Sequence, residues 1–266
     1  MNSLEEQYRN PTKLNTRINI HEKYSENKVD WHRWLFEQIN IPPNSRVLEI
    51  GCGDGTFWLK NRNRIDSSWS LTLSDYSEGM VQSVQQNLIE IPNIQYTQLN
   101  IEDIPFEDNR FDVIIANHML YHVPNRKNAL SEVRRILKPG GTFYSSTIGQ
   151  NHLKEFGELL KRFDPNLDFP SAREHALNFG VENGAEQLQG YFNEIVYKDF
   201  PGGLKITDEK AIVDYLLSSN TELNEILVDD TLEEFLRFLA SEKEANHGVI
   251  HITKSTGLFE SRSFSL

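Results

Sequence analysis

The chain is short of cysteine, of basic charge and of long apolar runs, and each shortage excludes something. Its one cysteine, Cys52, has no intramolecular partner, so a disulfide framework is out of reach. No apolar run approaches the roughly 18 residues that a membrane-spanning helix needs, and the first twenty residues are polar rather than signal-like. Lys and Arg number 27 against 39 Asp and Glu, a net charge of −12, which offers a polyanion no uniform positive field. Internal repeats, low-complexity tracts and Cys/His sets at zinc spacing are missing as well. Together these absences predict a soluble, cytoplasmic protein, monomer or homodimer, with a small molecule as partner, no nucleic acid, no membrane and no metal. At 266 residues the chain can bury a substantial core, and one domain with a sizeable insertion fits its length.

What is present centres on Arg46-Val47-Leu48-Glu49-Ile50-Gly51-Cys52-Gly53-Asp54-Gly55-Thr56. Aliphatic residues around Glu49 read as a buried parallel strand, and alternating glycines permit backbone conformations and ligand approach that side chains forbid. A following helix, about Thr56 to Ile65, would aim its unpaired N–H groups and positive dipole end into the same crevice. A dinucleotide fingerprint wants its third glycine where this chain has Thr56, so a nucleotide-type ligand other than a dinucleotide fits better. Such a turn can also be a bare strand-to-helix connection. A second apolar run, Trp69 to Leu73, leads into Ser74-Asp75, which sets an acid at the strand tip where a carboxylate can accept both hydroxyls of a ribose.

From Arg46 to Thr147 strands and helices alternate. Strands are predicted at Arg46–Ile50, Ser70–Ser74, Ile94–Leu99, Phe111–Asn117 and Thr142–Thr147, with helices at Ser77–Leu88 and Arg126–Leu137. Lys138-Pro139-Gly140-Gly141 stops the last helix and feeds the strand after it. This is an α/β pattern: a doubly wound, mostly parallel, Rossmann-like sheet of seven strands with ligands at the strand carboxyl ends. Before it, Leu4 to Ile39 reads as two or three helices broken near Ser25-Glu26-Asn27. After it, residues 151–190 read as a polar helical cap with breaks at Asp164-Pro165 and Phe169-Pro170. Asn193–Phe200 is a strand candidate, Asp208–Leu217 and Thr231–Leu239 are helical, Gly248–Lys254 is the closing strand, and a Ser-rich tail follows. The expected division is an amino-terminal helical lid (1–45), a core (46–150 and 191–266) and the cap (151–190).

Four blocks in register resemble the class I S-adenosylmethionine-dependent methyltransferases, type 11, the branch similar to the ubiquinone and menaquinone biosynthetic enzymes. They are Val47-Leu48-Glu49-Ile50-Gly51-Cys52-Gly53-Asp54-Gly55, then Asp75-Tyr76-Ser77, then Asn100-Ile101-Glu102-Asp103-Ile104-Pro105-Phe106 with Phe111-Asp112-Val113-Ile114, and finally Leu137-Lys138-Pro139-Gly140-Gly141. The resemblance implies S-adenosylmethionine as cofactor, S-adenosylhomocysteine as product and methyl transfer to a small acceptor by in-line displacement, with the accepting atom (O, N or C) open. It implies that Gly51 and Gly53 let the backbone approach the methionine part, that Cys52 between them is a cofactor contact, and that Glu49 orients the loop or meets the ammonium through water. Asp75 would hold the ribose, Tyr76 would lie against one face of the adenine, the Ile101 N–H would face its edge, and Met80 is a further cofactor contact. Asn100 stands where the family usually has Asp, and its amide oxygen would still accept from the adenine. Asn117 would meet the methionine end through its carbonyl or side chain.

Each of these positions has a plainer reading. Asp75 could be a helix cap before Ser77, Tyr76 surface packing, Asn100 a turn former and Asn117 a strand-end cap.

The segment Ala116-Asn117-His118-Met119-Leu120-Tyr121-His122-Val123-Pro124 is where the resembling family opens onto the methyl group. His122, then His118, with Tyr121, are its candidate proton acceptors or substrate orienters, against packed, hydrogen-bonded histidines as the plain alternative. Arg17, His21, Tyr24 and Trp31 are candidate substrate contacts. Arg17 would suit a carboxylate, while the aromatic set of Tyr24, Trp31, Trp34 and Phe36 also reads as core. Two other readings compete: an NAD-dependent oxidoreductase, disfavoured by Thr56 and by the lack of a Tyr-x-x-x-Lys set, and a non-catalytic cofactor-binding protein that activates a partner.

Overall fold

Segments rich in aliphatic, β-branched and aromatic residues become the strands of one seven-stranded sheet. The structure, a computed structural model, describes residues 19–169, 172–220 and 222–263. Strands β1 (Arg46–Ile50), β2 (Ser70–Asp75), β3 (Ile94–Gln98), β4 (Phe111–Asn117) and β5 (Leu137–Ile148) pair in parallel. β9 (Thr256–Arg262) lies antiparallel beside β5, and β6 (Glu194–Asp199) lies antiparallel beside β9, which gives the order β3-β2-β1-β4-β5-β9-β6. The order reverses direction at β1 and β4, so the crevice beyond their carboxyl ends is where an open α/β sheet takes its ligand.

Side chains that alternate along each strand feed two layers. Leu48, Ile50, Ile114, Ala116 and Phe143 pack on one face with Leu130 and Val133 of α4 (Arg126–Ile136). Val47, Leu71, Leu73, Val113 and Ile115 pack on the other with Leu35 of α1 (Trp31–Gln38), Trp58 of α2 (Thr56–Lys60) and Val84 of α3 (Glu78–Asn87). Each such side chain fully withdrawn from water stabilises the fold by about 1.5–3 kcal/mol. The helices start where capping residues allow: Asp30 accepts from the N–H groups of His32 and Arg33, Ser77 from Met80, and Asn125 from Asn128.

The chain divides into two units. Within the described residues, the sheet unit draws on Val29–Gln150, His175–Phe200 and the stretch from Thr256; the second unit draws on the stretch up to Lys28, Asn151–Glu174 and Pro201–Ser255. The second unit holds a helix over residues 19–24, α5 (Lys154–Phe163), α8 (Glu209–Ser219), α9 (Leu223–Ile226), α10 (Asp229–Ala245) and a two-stranded antiparallel sheet of β7 (Gly203–Ile206) and β8 (Ile250–Thr253). Ile20, Phe156, Leu160, Ile212, Leu216, Phe235, Leu239 and Ile252 form its core.

This division differs from the sequence expectation throughout: the expected lid splits between Lys28 and Val29, and Pro201–Ser255, expected in the core, belongs to the second unit. The expected cap is not one piece: α5 belongs to the second unit, α6 (Ala172–Asn178) begins there and ends in the sheet unit, and α7 (Gly184–Gln189) belongs wholly to the sheet unit. The alternating strand near residues 248–254 does not close the main sheet but pairs with β7, and the closing strand β9 lies inside the segment read as a tail. Periodicity marks β8 as half-buried without saying what it pairs with. β9 is covered on both sides, so its Gly257 and Ser261 sit buried where they read as loop.

Candidate functional site

The loop after β1 is fixed by its neighbour in the sheet. The N–H groups of Gly51 and Cys52 donate to Ser74 O at 2.8 and 2.9 Å, and Ser74 Oγ donates to Glu49 O at 2.8 Å. Gly55 has φ +81°, and a Cβ there would stand 2.5 Å from Val84 Cγ2, so this glycine is required by the packing of α3 against the turn. Gly53 is different. With φ +56° it would carry a Cβ into open space, with no atom within 4 Å.

Asp75 ends β2 and is partly buried. Its Oδ2 accepts from Gly53 N–H at 3.0 Å and its Oδ1 from Ser77 N–H at 2.9 Å. A carboxylate offers about four lone-pair sites, so acceptor capacity is left for a ligand. Burial pushes its pKa up, and the backbone donors of Ser77, Gly53 and Tyr76 oppose the shift.

Behind the loop lies Glu49, 1% exposed. Its Oε2 accepts from the Trp58 indole at 2.6 Å and its Oε1 from the Asn117 amide at 2.8 Å. Burial lifts its pKa to about 7 against these two hydrogen bonds, and the Asp75 charge adds to the rise. Among the described residues no cation is paired with it. The Cys52 thiol is buried and pushed far up by burial, which makes it a packing group and not a nucleophile.

Other predicted cofactor residues divide. Tyr76 is 71% exposed beside Asp75, an aromatic face open to a partner. Met80 is partly buried, one turn into the helix that Ser77 caps. Ile101 is 5% exposed. Asn100 spends its Oδ1 on Glu102 N–H at 3.0 Å, an Asx turn, so the turn-forming role is realised. Asn117 uses its Nδ2 on Glu49, and its Oδ1 accepts from Ser146 Oγ at 3.4 Å, so the side chain serves the buried carboxylate. Trp58 and Ser146 were not foreseen. An indole on an apolar helix face reads as core, and its carboxylate partner becomes visible only when strand and helix are folded together.

Beyond β4 the chain turns sharply. His118 adopts φ +49°, uncommon for a residue with a Cβ, and its N–H is shared between Ser146 O (3.2 Å) and Ser146 Oγ (3.1 Å). Its ring lies 5.0 Å from that of Trp31, which also packs on Trp34 (5.3 Å) and Phe200 (5.2 Å). A short 3-10 turn, Leu120–His122, carries Tyr121 and His122 with rings 4.5 Å apart. Burial lowers both imidazole pKa values to about 4, with His32 and His122 adding to the effect on His118, and His175 to that on His122. Near neutral pH both rings are uncharged, able to accept a proton and to donate one hydrogen bond.

The remaining candidates lie elsewhere. In the second unit, Tyr24 is buried and donates to Asp208 Oδ2 at 3.5 Å, which is a core role. His21, in the same unit, stacks on His152 at 6.4 Å and meets Tyr215 at 6.5 Å. Arg17 lies outside the described residues.

The residues present fit S-adenosylmethionine: open space at Gly53, a ribose-type carboxylate held by backbone donors, an exposed aromatic beside it and a buried acid behind the loop. Fold and site define the class I methyltransferases that use this cofactor. A family described as "Methyltransferase domain" matches residues 48–145, and the chain carries a class I S-adenosylmethionine-dependent methyltransferase domain of type 11. The demethylmenaquinone methyltransferase of Staphylococcus epidermidis is 24% identical over 212 residues, covering 74% of this chain and 88% of the relative. Among solved structures the fold is shared with the YcgJ protein of Bacillus subtilis (TM-score 0.56, 18% identity, 88% of this chain and 98% of that one). It is shared also with phosphoethanolamine N-methyltransferase 2 of Haemonchus contortus (TM-score 0.58, 14% identity, 99% and 59%), solved with S-adenosyl-L-methionine. The chain is an enzyme of S-adenosylmethionine-dependent methyl transfer.

Proposed function

We propose that this methyltransferase acts in the cytoplasm on a small molecule carrying a dissociable proton, with the methyl acceptor facing the segment His118–His122. The reading rests above all on the placing of two neutral, largely buried imidazoles and a phenol directly after Asn117, whose amide is bonded to the loop acid Glu49. When bound, S-adenosylmethionine supplies a methyl group already activated on a sulfonium sulfur. The protein then has to hold and orient. Asp75 would accept from the ribose hydroxyls, Tyr76 and Met80 would cover the adenine, and Gly51 and Gly53 would admit the methionine part. Glu49, held by Trp58 and Asn117, would offset the ammonium charge behind the loop. His122 would take the proton that the acceptor gives up, and His118, fixed by Ser146 and Trp31, would shape the wall beside it. No helix among the described residues is long and apolar enough to cross a membrane. The relatives named above carry a quinone precursor in one name and an amino alcohol phosphate in the other, two different chemistries on one fold, so the acceptor here is to be found by assay.

Calorimetric titration with S-adenosylmethionine, S-adenosylhomocysteine and NAD tests the cofactor site. Micromolar binding of the first two and none of NAD is expected; NAD binding alone would overturn the reading. Asp75→Ala should weaken S-adenosylmethionine by about 1.5–3 kcal/mol in the same titration, because a hydrogen bond to a charged group is lost. His122→Asn should leave cofactor affinity intact and lower turnover by about 10²-fold or more, measured with a labelled methyl group against an acceptor panel.

A further inference from the structure

The main sheet ends at β6, and among the described residues no strand pairs with its outer side. A row of unpaired N–H and C=O groups is a template for a further strand, so sheets usually blunt such an edge with a proline, a bulge or a line of charges. β6, Glu194-Ile195-Val196-Tyr197-Lys198-Asp199, has no proline, and it runs residue for residue against β9 from Glu194↔Arg262 to Asp199↔Gly257. Val196 is 43% exposed and Tyr197 36%.

The ladder decides which backbone groups face outward. Phe200 N–H donates to Thr256 O at 3.0 Å, which marks a hydrogen-bonded pair, and such pairs recur at every second residue of an antiparallel ladder. Lys198, Val196 and Glu194 therefore spend their main-chain groups on β9, while Ile195, Tyr197 and Asp199 turn theirs to the open side. Side chains alternate between the faces. Lys198 donates from Nζ to Gln38 O at the end of α1 (3.0 Å) and pairs with Glu260 (2.8 Å), and Val196 and Glu194 share its face. On the other face Ile195 packs with the layer of Phe192 and Phe259, and the Tyr197 ring lies 5.2 Å from that of Phe259.

We propose that β6 is a homodimer interface, pairing antiparallel with β6 of a second copy about a two-fold axis at Val196 and joining the two seven-stranded sheets. An antiparallel pair matches outward residues with outward residues, so the axis falls on a residue, and chemistry separates the choices. Centred on Val196, Ile195 of each copy exchanges main-chain hydrogen bonds with Tyr197 of the other, and their side chains meet. Val196 meets itself, and Glu194 stands opposite Lys198 in both directions. An ammonium has three donors and Lys198 uses two within its own chain, so one is left for that glutamate. Opposite charges and aromatic–aliphatic neighbours are the cross-strand pairs that stabilise. Centred on Tyr197, Val196 would oppose Lys198 and Ile195 would oppose Asp199; centred on Ile195, Val196 would oppose Glu194. A second copy is favoured over an unrelated strand because the segment is complementary to itself, in charge and in apolar pairing, at one register.

The test uses the full chain and needs no cofactor. Sedimentation velocity over a dilution series should show a reversible monomer–dimer equilibrium. Glu194→Lys, at an exposed side chain, sets like charges opposite each other twice and should raise the dissociation constant by about tenfold or more. Val196→Cys reads the register. At the axis the two Cα atoms of a non-hydrogen-bonded pair stand about 4.5 Å apart, inside the disulfide range, so mild oxidation should give a covalent dimer. The wild type, whose Cys52 is buried, should give none. Glu194→Cys should give none either, since its own copy lies about 13 Å along the strand. Absence of the cross-link at position 196 overturns the proposal: with monomers throughout, the edge is open to a strand of another protein, and with a wild-type dimer, the copies meet through a different surface. Equal cross-linking at position 194, as random collision gives, overturns it too.

Discussion

Glu49 shows at the level of one residue how the sequence and the fold divide the work. Its place in the glycine motif marked it as a cofactor-side acid, but its neighbours in space, Trp58 nine residues on and Asn117 sixty-eight residues on, come from the folding of the sheet. Because burial lifts its pKa from 4.5 to about 7, the folded protein holds a proton that the unfolded chain has already released between those values. Stability conferred by that proton is full below pH 4.5 and is lost as the pH climbs to 7, a fall of about 3 kcal/mol at 1.36 kcal/mol per unit. Glu49→Gln removes the titration. In urea unfolding at pH 5 and pH 8 the variant should therefore gain on the wild type by about 2.5 kcal/mol at the higher pH, since part of the loss is already incurred at pH 5. Parallel pH slopes for the two proteins would show that Glu49 ionises normally. Asn100 and Asn117 make the same point: residue type gave their hydrogen-bonding capacity, and only tertiary structure decided where it is used.

Among the elements, the run from β1 to β5 was legible because β1, β2, β4 and β5 are largely buried in a parallel sheet and each helix carries one apolar stripe, so periodicity and capping residues agree. β9 was hidden for the opposite reason. Gly257 is there to let β6 approach, since a Cβ would meet Lys198 O at 2.5 Å and the Tyr197 ring at 2.6 Å, and Ser261 is fully buried. Small residues chosen for close approach of backbone look like loop until the neighbouring strand is known. The glycine turn offers a measurable case of the same constraint. Gly55→Ala places a Cβ in the left-handed region and against Val84, and should destabilise by more than 1 kcal/mol in denaturant unfolding. Relief should be partial in the double variant Gly55→Ala, Val84→Ala. There the clash is gone and the backbone cost of about 1 kcal/mol remains, together with the loss from the smaller core residue. If the effect of Gly55→Ala is unchanged when measured in a Val84→Ala background, steric contact with α3 is not what fixes this glycine.

At the level of the molecule, the acidic balance and the single cysteine set the class, while the second unit carried no motif that its sequence could reveal. Its helices are ordinary amphipathic segments around their own core, and their role has to be read from behaviour. Ligand linkage provides the means, because a ligand that binds only the native state raises the free energy of every opening that destroys its site. With S-adenosylmethionine at 100 times its Kd, that gain is about 2.7 kcal/mol, up to a 100-fold slowing of amide exchange. Hydrogen exchange followed by mass spectrometry should find the slowing at residues 51–55, 75–77 and 117–122 of the sheet unit, where the loop, the ribose acid and the turn after β4 lie. The amides of α8 and α10 should exchange at their unliganded rates, since the residues that fit the cofactor are all in the other unit. Protection that spreads into α8 and α10 would assign the second unit a direct part in holding the cofactor. Protection confined to the three loops would leave that unit free to serve the acceptor, the half of the reaction for which the glycine motif holds no information.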